Sequence, residues 1–205
     1  MNGMKGFHRK MQTAYEKYFN KQDDTILLAN LLTGFKKRTR ARKRYGFAIL
    51  TAEAIEQLKP YAPFVEVGSG NGYWAYEMQK RGIEIVPTDP TPLKTSRYKF
   101  NKQWTDIKIL TATRAVNRYR KRTLLMVWPC YNQPWAYEAL KAYKGNILVF
   151  CGEAHGGCTA DNDFYKLLSK EWKATTNIDI LRWPALYDYM CVYTRKKNGS
   201  SKKRN

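Results

Sequence analysis

The feature that most constrains this chain of 205 residues is a glycine-rich turn between an apolar run and a helical pattern. Residues 63–67 are typical of a short buried strand, and a predicted helix covers residues 72–80. The turn contains Gly68, Gly70 and Gly72, and glycines allow positive φ angles and a close approach of the backbone to a ligand. The helix start behind them offers unpaired N–H groups at its positive dipole end. This arrangement indicates a nucleotide-type cofactor site.

The spacing of the turn separates candidate cofactors. A dinucleotide fingerprint would place its third glycine at position 73, which is Tyr73, and a P-loop would need Gly-Lys-Ser/Thr after the turn. The pattern here, Glu-x-Gly-x-Gly-x-Gly, resembles motif I of the class I S-adenosylmethionine-dependent methyltransferases. The resemblance implies S-adenosylmethionine as cofactor, with its methionine end beside the acid and the glycine loop. It implies cofactor contacts for Glu66, Gly68, Ser69, Gly70, Asn71 and Gly72.

A second acid supports this interpretation of the turn. Residues 83–87 are typical of a strand, and Asp89 follows them. In a Rossmann-type sheet, an acid about 20 residues beyond the glycine turn can accept hydrogen bonds from ribose hydroxyls. In the methyltransferases that the motif resembles, the matching acid binds the cofactor ribose, which is the role implied for Asp89. An ordinary tight turn is the alternative for the glycines alone.

From residue 63 onward, predicted strands and helices alternate. Alternation of this kind favours an α/β fold with a mainly parallel sheet. Seven strands with the last two close together resemble the methyltransferase sheet, in which strand seven is antiparallel and lies beside strand five. We therefore predict a Rossmann-like, seven-stranded, mainly parallel sheet with helices on both faces and an N-terminal helical extension. The predicted strands are 63–67, 83–87, 106–111, 123–128, 146–151, 176–182 and 189–194, and the helices are 72–80, 92–101, 113–120, 134–143 and 160–172.

The sequence divides into three predicted regions. Residues 1–60 are predicted to form a basic helical extension, in which helices within 5–33 stop at Gly34 and another helix covers 47–58. Residues 61–194 are predicted to form the methyltransferase-like domain. Residues 195–205 contain no apolar side chain, which predicts a disordered basic tail.

The net charge of +20 is concentrated at the two ends of the chain. Residues 1–60 carry 13 Lys/Arg against 5 Asp/Glu, and residues 195–205 carry 6 against none. Dense basic runs bind polyanions by displacing condensed counterions, which predicts RNA or DNA as a partner of this segment and of the tail. A nuclear-import signal and a solvated basic face are the alternatives. The densest run holds Lys36, Lys37, Arg38, Arg40, Arg42, Lys43 and Arg44.

Two catalytic interpretations compete at the end of the fourth predicted strand. Trp128-Pro129-Cys130-Tyr131 resembles the Asp/Asn-Pro-Pro-Tyr motif of amino-group methyltransferases, with Trp128 in place of the polar residue and Cys130 in place of the second proline. In that motif the polar residue holds the target nitrogen and the aromatic ring stacks on the target. Pro129-Cys130 also resembles the Pro-Cys of cytosine-C5 methyltransferases, whose thiolate attacks the ring. There a glutamate of the next strand end contacts the base, and Glu153 stands at that place.

Other chemistries fit the sequence less well. Ribose 2′-O methyltransferases carry an Asp just after strand four, where this chain has Trp128. A guanine-N7 cap methyltransferase needs mainly positioning and no general base, so the sequence permits it. His155 and Cys158 would supply only half of a zinc site, and therefore no metal is predicted.

The remaining sequence features concern the cellular location of the protein. No apolar run approaches the roughly 18 residues of a membrane span, and no signal peptide is apparent. The four cysteines form no C-x-x-C pair, which favours reduced thiols in an intracellular compartment, cytoplasmic or nuclear.

Three functions follow from these predictions. The first is an S-adenosylmethionine-dependent methyltransferase that acts on nucleic acid at a base amino, ring or cap position. RNA is favoured over DNA as its substrate. The second is a catalytically inactive protein of the same fold that binds nucleic acid or serves as a scaffold for a partner subunit. The third is a methyltransferase for a protein or a small molecule. The sequence leaves the oligomeric state open.

Overall fold

The computed structural model describes residues 24–197. Earlier residues of the predicted N-terminal helices, and most of the predicted tail, lie outside this range. The described chain alternates helices with strands. The helices are α1 (Asp24–Tyr45), α2 (Ala52–Leu58), α3 (Tyr73–Gln79), α4 (Ala112–Arg118), α5 (Trp135–Ala142) and α6 (Asn162–Glu171). The strands are β1 (Phe64–Val67), β2 (Ile85–Asp89), β3 (Lys108–Ile109), β4 (Thr123–Val127), β5 (Ile147–Gly152), β6 (Trp172–Ile178) and β7 (Tyr189–Arg195).

All seven strands belong to one sheet with the order β3-β2-β1-β4-β5-β7-β6. The five strands from β1 to β5 pair in parallel, whereas β7 is antiparallel to both of its neighbours, β5 and β6. The carboxyl ends of β1, β2, β4 and β5 therefore meet at one edge, together with the start of β7. This topology confirms the predicted Rossmann-like sheet, including the antiparallel strand beside the fifth.

Both faces of the sheet are covered by helices. Successive residues of a strand point to opposite sides, so one buried strand can contribute to a cluster on each face. On one face, Phe64, Leu125 and Val149 join a cluster with α2 and α3. On the other face, Val65, Leu124 and Leu148 pack against α4, α5 and α6. Helices on both faces were predicted, and the two clusters confirm them.

The segment that precedes β1 contributes to the same core. Ala48 and Leu50 are buried there, as are Ala54, Ile55 and Leu58 of α2. A domain boundary at residue 60 thus stays a prediction, while the structure gives a continuous core across it. No helix within residues 24–197 is long and apolar enough to cross a membrane.

Two predicted N-terminal helix limits are wrong. Helix α1 runs through Gly34 into the basic run, and the predicted stop there is absent because Gly34 lies against Pro184, 3.4 Å from where its Cβ would stand. The helix predicted over 47–58 begins only at Ala52. Thr51 is its N-cap, and the side chain accepts a hydrogen bond from the backbone N–H of Ala54 at 3.0 Å.

Three later limits differ as well. The segment predicted to be a helix over 92–101 is a loop with one short 3-10 turn. Tyr98 and Phe100, two residues apart, both line a cavity, and this spacing does not fit one face of a helix. Strand β3 is two residues long at the edge of the sheet. The sixth strand starts at Trp172 rather than at 176, because the buried Trp172 ring stacks on Tyr143. Arg195, predicted to begin the tail, is the last residue of β7.

A buried hydroxyl at the opposite edge of the sheet gives a test of this packing. The Tyr143 hydroxyl lies 2.8 Å from the carbonyl oxygen of Arg122 and 2.9 Å from that of Ile147. We expect Tyr143→Phe to lower the free energy of unfolding by about 1–3 kcal/mol, because both buried carbonyls lose a donor. Urea denaturation measures the change. The half-buried Tyr137 hydroxyl has no hydrogen bond within residues 24–197, and Tyr137→Phe should cost under about 0.5 kcal/mol.

Candidate functional site

The glycine turn after β1 adopts a left-handed backbone that favours glycine. Gly68, Gly70 and Gly72 have φ angles of 68°, 57° and 74°, all in the left-handed region. Space is limited too, since a Cβ on Gly68 would stand 2.8 Å from the Trp135 ring and one on Gly70 would stand 3.1 Å from the Phe100 ring. The three glycines thus serve both the turn and its close packing.

Asp89, at the end of β2, is tied to this turn. Its Oδ2 accepts a hydrogen bond from the backbone N–H of Gly70 at 3.0 Å, and its Oδ1 accepts one from Thr91 at 2.9 Å. Burial raises the pKa of the Asp89 carboxyl, and the two backbone hydrogen bonds partly offset that rise. The predicted pairing of the glycine turn with an acid on the next strand is thus a direct contact.

Glu66 lies on β1 beneath the turn and is 2% exposed. Its Oε2 has no hydrogen-bond partner among the described residues, nor has the buried Oγ of Ser69. Burial, and then the nearby Asp89, raise the pKa of Glu66 to about 8. An isolated buried carboxyl of this kind is stabilised by a cationic or hydrogen-bond-donating group at the cavity wall.

Asn71 has a different environment from the rest of the turn. Its Nδ2 donates a hydrogen bond to the Arg44 carbonyl oxygen at 2.8 Å, and its Oδ1 accepts one from the Tyr73 backbone at 3.3 Å. The Asn71 carbonyl oxygen accepts another from the Trp104 backbone at 3.0 Å. The buried Asn71 side chain therefore joins the end of α1 to the start of α3, and its polar atoms are bonded within the protein.

A cavity of about 560 Å³ opens in front of the glycine turn. Volumes of roughly 300–1,000 Å³ are typical of sites for small molecules and cofactors. The floor of the cavity holds Glu66, Ser69 and Asp89, and its outer wall is aromatic. That wall consists of Tyr45, Phe47, Tyr98, Phe100 and Trp128.

Trp128 directly follows β4 in a strained conformation, with a φ angle of 51°. Its backbone N–H bonds the Cys151 carbonyl oxygen at 2.7 Å, and its indole Nε1 donates to Asp188 Oδ1 at 3.0 Å. The indole stacks on Phe47 at 5.3 Å between centroids, and the Arg38 guanidinium carbon lies 5.3 Å from it. Trp128 is therefore a fixed part of the cavity wall rather than a free ring.

The rest of the predicted catalytic motif splits between the cavity and the surface. Cys130 lines the cavity, with its Sγ 2.8 Å from the Tyr98 hydroxyl. Burial and then this hydrogen bond raise the pKa of Tyr98. The Pro129 carbonyl oxygen accepts a hydrogen bond from Ala160 at 3.1 Å, and the Tyr131 side chain is exposed.

Glu153 is 6% exposed at the end of β5, and both of its carboxylate oxygens are bonded to backbone N–H groups. Oε2 accepts from Cys158 at 2.7 Å, and Oε1 accepts from Tyr187 at 3.1 Å. These bonds join the loop after β5 to the loop before β7. Glu153 thus acts as a clamp between the two loops, and both of its carboxylate oxygens already have hydrogen-bond partners.

Asp188 is the acid that the sequence analysis did not single out. It is 1% exposed, Oδ1 accepts from the Trp128 indole, and Oδ2 has no partner among the described residues. Burial raises its pKa to about 6, with the Trp128 hydrogen bond opposing that rise. A signal was available, because Asp188 is the only acid between residues 180 and 205 and stands in an apolar stretch.

The predicted basic segment lies on α1, which crosses the carboxyl edge of the sheet. Arg38 and Arg42, one helical turn apart, are half-buried over Trp128 and Phe47, each at 5.3 Å. Cation–π contacts of this kind stabilise by roughly 0.5–2 kcal/mol. The other cations of the run are exposed, namely Lys36, Lys37, Arg40, Lys43 and Arg44.

The half zinc site considered from the sequence is not a metal cluster. His155 Nε2 lies 3.0 Å from Asn162 Oδ1, and Cys158 is exposed. Across residues 24–197, no group of three or more His, Cys, Asp or Glu side chains is placed to hold a metal ion.

The residues of the cavity fit S-adenosylmethionine. An unpartnered carboxyl oxygen on Glu66 suits the amino end of such a ligand, and Asp89 presents a carboxylate beside the glycine turn. A Cβ at Gly68 would collide with the ring of Trp135, and one at Gly70 would make a tight contact with the ring of Phe100, both of which line the cavity.

Comparisons with known proteins bear on the fold. No protein-family model matches the sequence, and no curated protein shows significant sequence similarity to it. Among solved structures, the chain is similar to magnesium protoporphyrin IX methyltransferase (ChlM) from Synechocystis PCC 6803 with bound SAM, with a TM-score of 0.50 and 11% identity over 86% of this chain and 99% of that one. It is also similar to the ribosomal protein L11 methylase from Lactobacillus delbrueckii subsp. bulgaricus, with a TM-score of 0.44 and 11% identity over 70% and 76% of the two chains.

The structural likeness and the strand order agree. The antiparallel β7 between β5 and β6 completes the sheet that the sequence motif implied. The chain thus has the fold of the class I S-adenosylmethionine-dependent methyltransferases.

Proposed function

We propose that the protein is an S-adenosylmethionine-dependent methyltransferase that acts on nucleic acid, and we favour RNA over DNA as the substrate. The observation that carries this proposal is the position of the cofactor-sized cavity between two groups of exposed cations. One group is the outer face of α1. The other is the loop after β2, which holds Lys94, Arg97, Lys99 and Lys102.

The cofactor half of the proposal rests on the floor of the cavity. When bound, S-adenosylmethionine supplies an activated methyl group on its sulfonium sulfur. Glu66 would face the amino end of the ligand, the glycine turn would lie along it, and Asp89 would accept hydrogen bonds from its hydroxyls. The aromatic wall would exclude water, which strengthens electrostatic interactions inside the cavity.

The nucleic-acid half of the proposal rests on unpaired charge. None of the nine exposed cations in the two groups forms an ion pair with an acid of residues 24–197. The two groups adjoin, because the Asn101 backbone N–H bonds the Lys43 carbonyl oxygen at 2.9 Å. A phosphate backbone crossing both groups would release condensed counterions and bind in a salt-dependent manner.

Among the candidate acceptors, the contacts of Glu153 weigh against cytosine-C5 chemistry. That chemistry needs a glutamate free to contact the base, whereas both oxygens of Glu153 hold backbone N–H groups. Transfer to a ring nitrogen with a free lone pair, as at a guanine-N7 cap position, needs mainly orientation of the acceptor, here beside Trp128 and Cys130. We therefore favour a nitrogen acceptor.

One observation favours a second candidate, a catalytically inactive nucleic-acid-binding protein of this fold. Trp128, fixed by Phe47, Arg38 and Asp188, covers the strand end where amino-group methyltransferases carry a polar residue. Transfer of labelled methyl groups to total RNA separates the two candidates, because only the enzyme incorporates label. If the substrate were a protein or a small molecule, the enzyme would transfer methyl groups to that substrate and would not bind RNA.

Cofactor binding tests the first half of the proposal. We expect calorimetric titration to give binding of S-adenosylhomocysteine, and Asp89→Asn to weaken it at least about tenfold, because a charge-assisted hydrogen bond contributes roughly 1.5–3 kcal/mol. Asp163→Asn, at an exposed acid on α6, is the control and should leave affinity unchanged. Equal affinity for wild type and Asp89→Asn would exclude the assigned role of Asp89.

The buried Glu66 predicts a pH dependence of stability. Its pKa is about 8 in the folded chain against an ordinary value of 4.5, so the folded state keeps a proton that the unfolded state loses between those values. Stability should therefore fall as pH rises from about 5 to 8, by at most about 1.4 kcal/mol per pH unit. Glu66→Gln should remove this contribution in urea denaturation at pH 5.5 and 7.5. The same slope in both proteins would contradict the assignment.

Salt-dependent RNA binding tests the second half. We expect Lys36→Gln with Lys37→Gln to weaken RNA binding and to lower the slope of log K against log salt by roughly 1.4, about 0.7 for each lost contact to a single strand. Fluorescence anisotropy across a salt series measures both quantities. The control is Lys170→Gln with Lys173→Gln, exposed cations at the opposite edge of the sheet. Equal losses in both variants would show that only net charge matters.

A further inference from the structure

We propose that the nucleic acid taken by this site is single-stranded around the target, and that Tyr131 and Tyr187 each stack an unpaired base beside the cavity. This inference rests on the proposed function, since it names the form of nucleic acid that the same site would accept. It is carried by the exposure, the rigid backbone and the position of the two rings.

The two tyrosines are exceptions to the burial of large apolar side chains. Among residues 33, 34 and 36–197, whose exposure the structure describes, only three such side chains are exposed, namely Ile109 at 58%, Tyr131 at 65% and Tyr187 at 76%. Ile109 lies on the edge strand β3. Tyr131 lies in the loop after β4 and Tyr187 in the loop before β7, and the end of β4 and the start of β7 are both at the carboxyl edge of the sheet.

Tyr131 stands on a fixed stretch of chain at the rim of the cavity. Its neighbours Cys130 and Gln133 both line the cavity. The Asn132 backbone N–H donates to the Ala160 carbonyl oxygen at 2.8 Å, and Ala160 donates back to the loop at 3.1 Å. The backbone is therefore held on both sides of an exposed ring.

Tyr187 is held in a similar way, next to an acid that is bonded to Trp128. Its backbone N–H donates to Glu153 Oε1 at 3.1 Å, and the next residue, Asp188, accepts from the Trp128 indole at 3.0 Å. The clamp formed by Glu153 thus fixes a second exposed ring. This gives the buried glutamate a positioning role toward the substrate in place of a direct contact.

Rigid exposed tyrosines suit unpaired bases in particular. Stacking of a base on an aromatic ring contributes roughly 1–3 kcal/mol, and every base has a face for it. A tyrosine on a fixed backbone has only two side-chain torsions to order, so little of that energy is lost. In a duplex the bases are stacked and paired with one another, and a base cannot enter a cavity without leaving the helix.

The position of the cations agrees with this path. The exposed face of α1 and the loop at residues 94–102 flank the cavity, and Arg38 reaches from α1 to Trp128, whose indole is bonded to Asp188 next to Tyr187. Phosphates would then follow the cations while bases turn inward toward the rings. That arrangement is typical of proteins that bind single strands without strong sequence preference.

The experiment measures fluorescence anisotropy of a labelled 12-nucleotide RNA, a blunt duplex of the same sequence and the matching single-stranded DNA. We expect at least about tenfold tighter binding of the single strand than of the duplex. Tyr131→Ala and Tyr187→Ala should each weaken single-strand binding by about 5- to 100-fold with duplex binding unchanged, and Tyr→Phe at each position should restore it. Ile109→Ala, the third exposed apolar side chain, is the matched control and should have no effect.

The possible outcomes separate this inference from the proposed function. Equal binding of single strand and duplex, with the alanine variants as wild type, overturns the stacking inference while nucleic-acid binding stands. Binding of no oligonucleotide overturns both. A weakened salt slope in the tyrosine variants would also overturn it, because stacking removes no phosphate contact. Thermal unfolding within a few degrees of wild type confirms that the variants are folded. The DNA arm shows whether the site distinguishes the 2′-hydroxyl of RNA.

Discussion

The hydrogen bonds of Asn71 join parts of the chain that are distant in sequence. This buried side chain donates to the last turn of α1 and accepts from the first turn of α3, while its carbonyl receives Trp104. Trp104 in turn donates its indole N–H to the Arg44 carbonyl at 2.6 Å. The glycine turn, the basic helix α1 and the loop after β2 are thus all joined through Asn71, and all three contribute residues to the cavity.

This connection changes what the basic segment does. Helix α1 carries like charges four residues apart, as at Lys36 and Arg40 or at Arg40 and Arg44, and each such pair destabilises an isolated helix by about 0.2–0.5 kcal/mol. The helix is therefore held by tertiary contacts rather than by its own charge pattern. Arg38 and Arg42 supply part of that attachment through Trp128 and Phe47. One basic run consequently has an inner face that packs on two rings of the cavity wall and an outer face of exposed cations.

The sequence predicted best what is local in the chain. The glycine turn and Asp89 follow from spacing and periodicity over a few residues, because left-handed backbone positions and buried strands have strong local signatures. The strand order, by contrast, was implied by the resemblance to the methyltransferase sheet. The aromatic wall could not be predicted in that way. Its members come from α1, from the loop after β2 and from the end of β4, and only tertiary packing brings Phe47, Tyr98 and Trp128 together.

The departures follow from the same packing. Gly34 would end an isolated helix, but Pro184 packs where a side chain would stand. Residues 92–101 were predicted to be helical, yet Tyr98 and Phe100 are drawn into the cavity from an irregular loop. Asp188 was missed because a single acid before a strand is typical of a turn. Only the structure shows that it is buried against Trp128.

Charge is sorted between the inside and the outside of this site, and the sorting bears on the proposed ligands. The chain as a whole has a net charge of +20, yet the floor of the cavity holds the two acids Glu66 and Asp89. Buried carboxyls raise the local preference for a positively charged ligand, whereas exposed and unpaired cations attract a polyanion over a longer range. A ligand carrying a sulfonium and an amino group suits the floor of the cavity, and a phosphate backbone suits its rim. Neither ligand would compete for the place of the other, because the aromatic wall lies between the acids of the floor and the exposed cations.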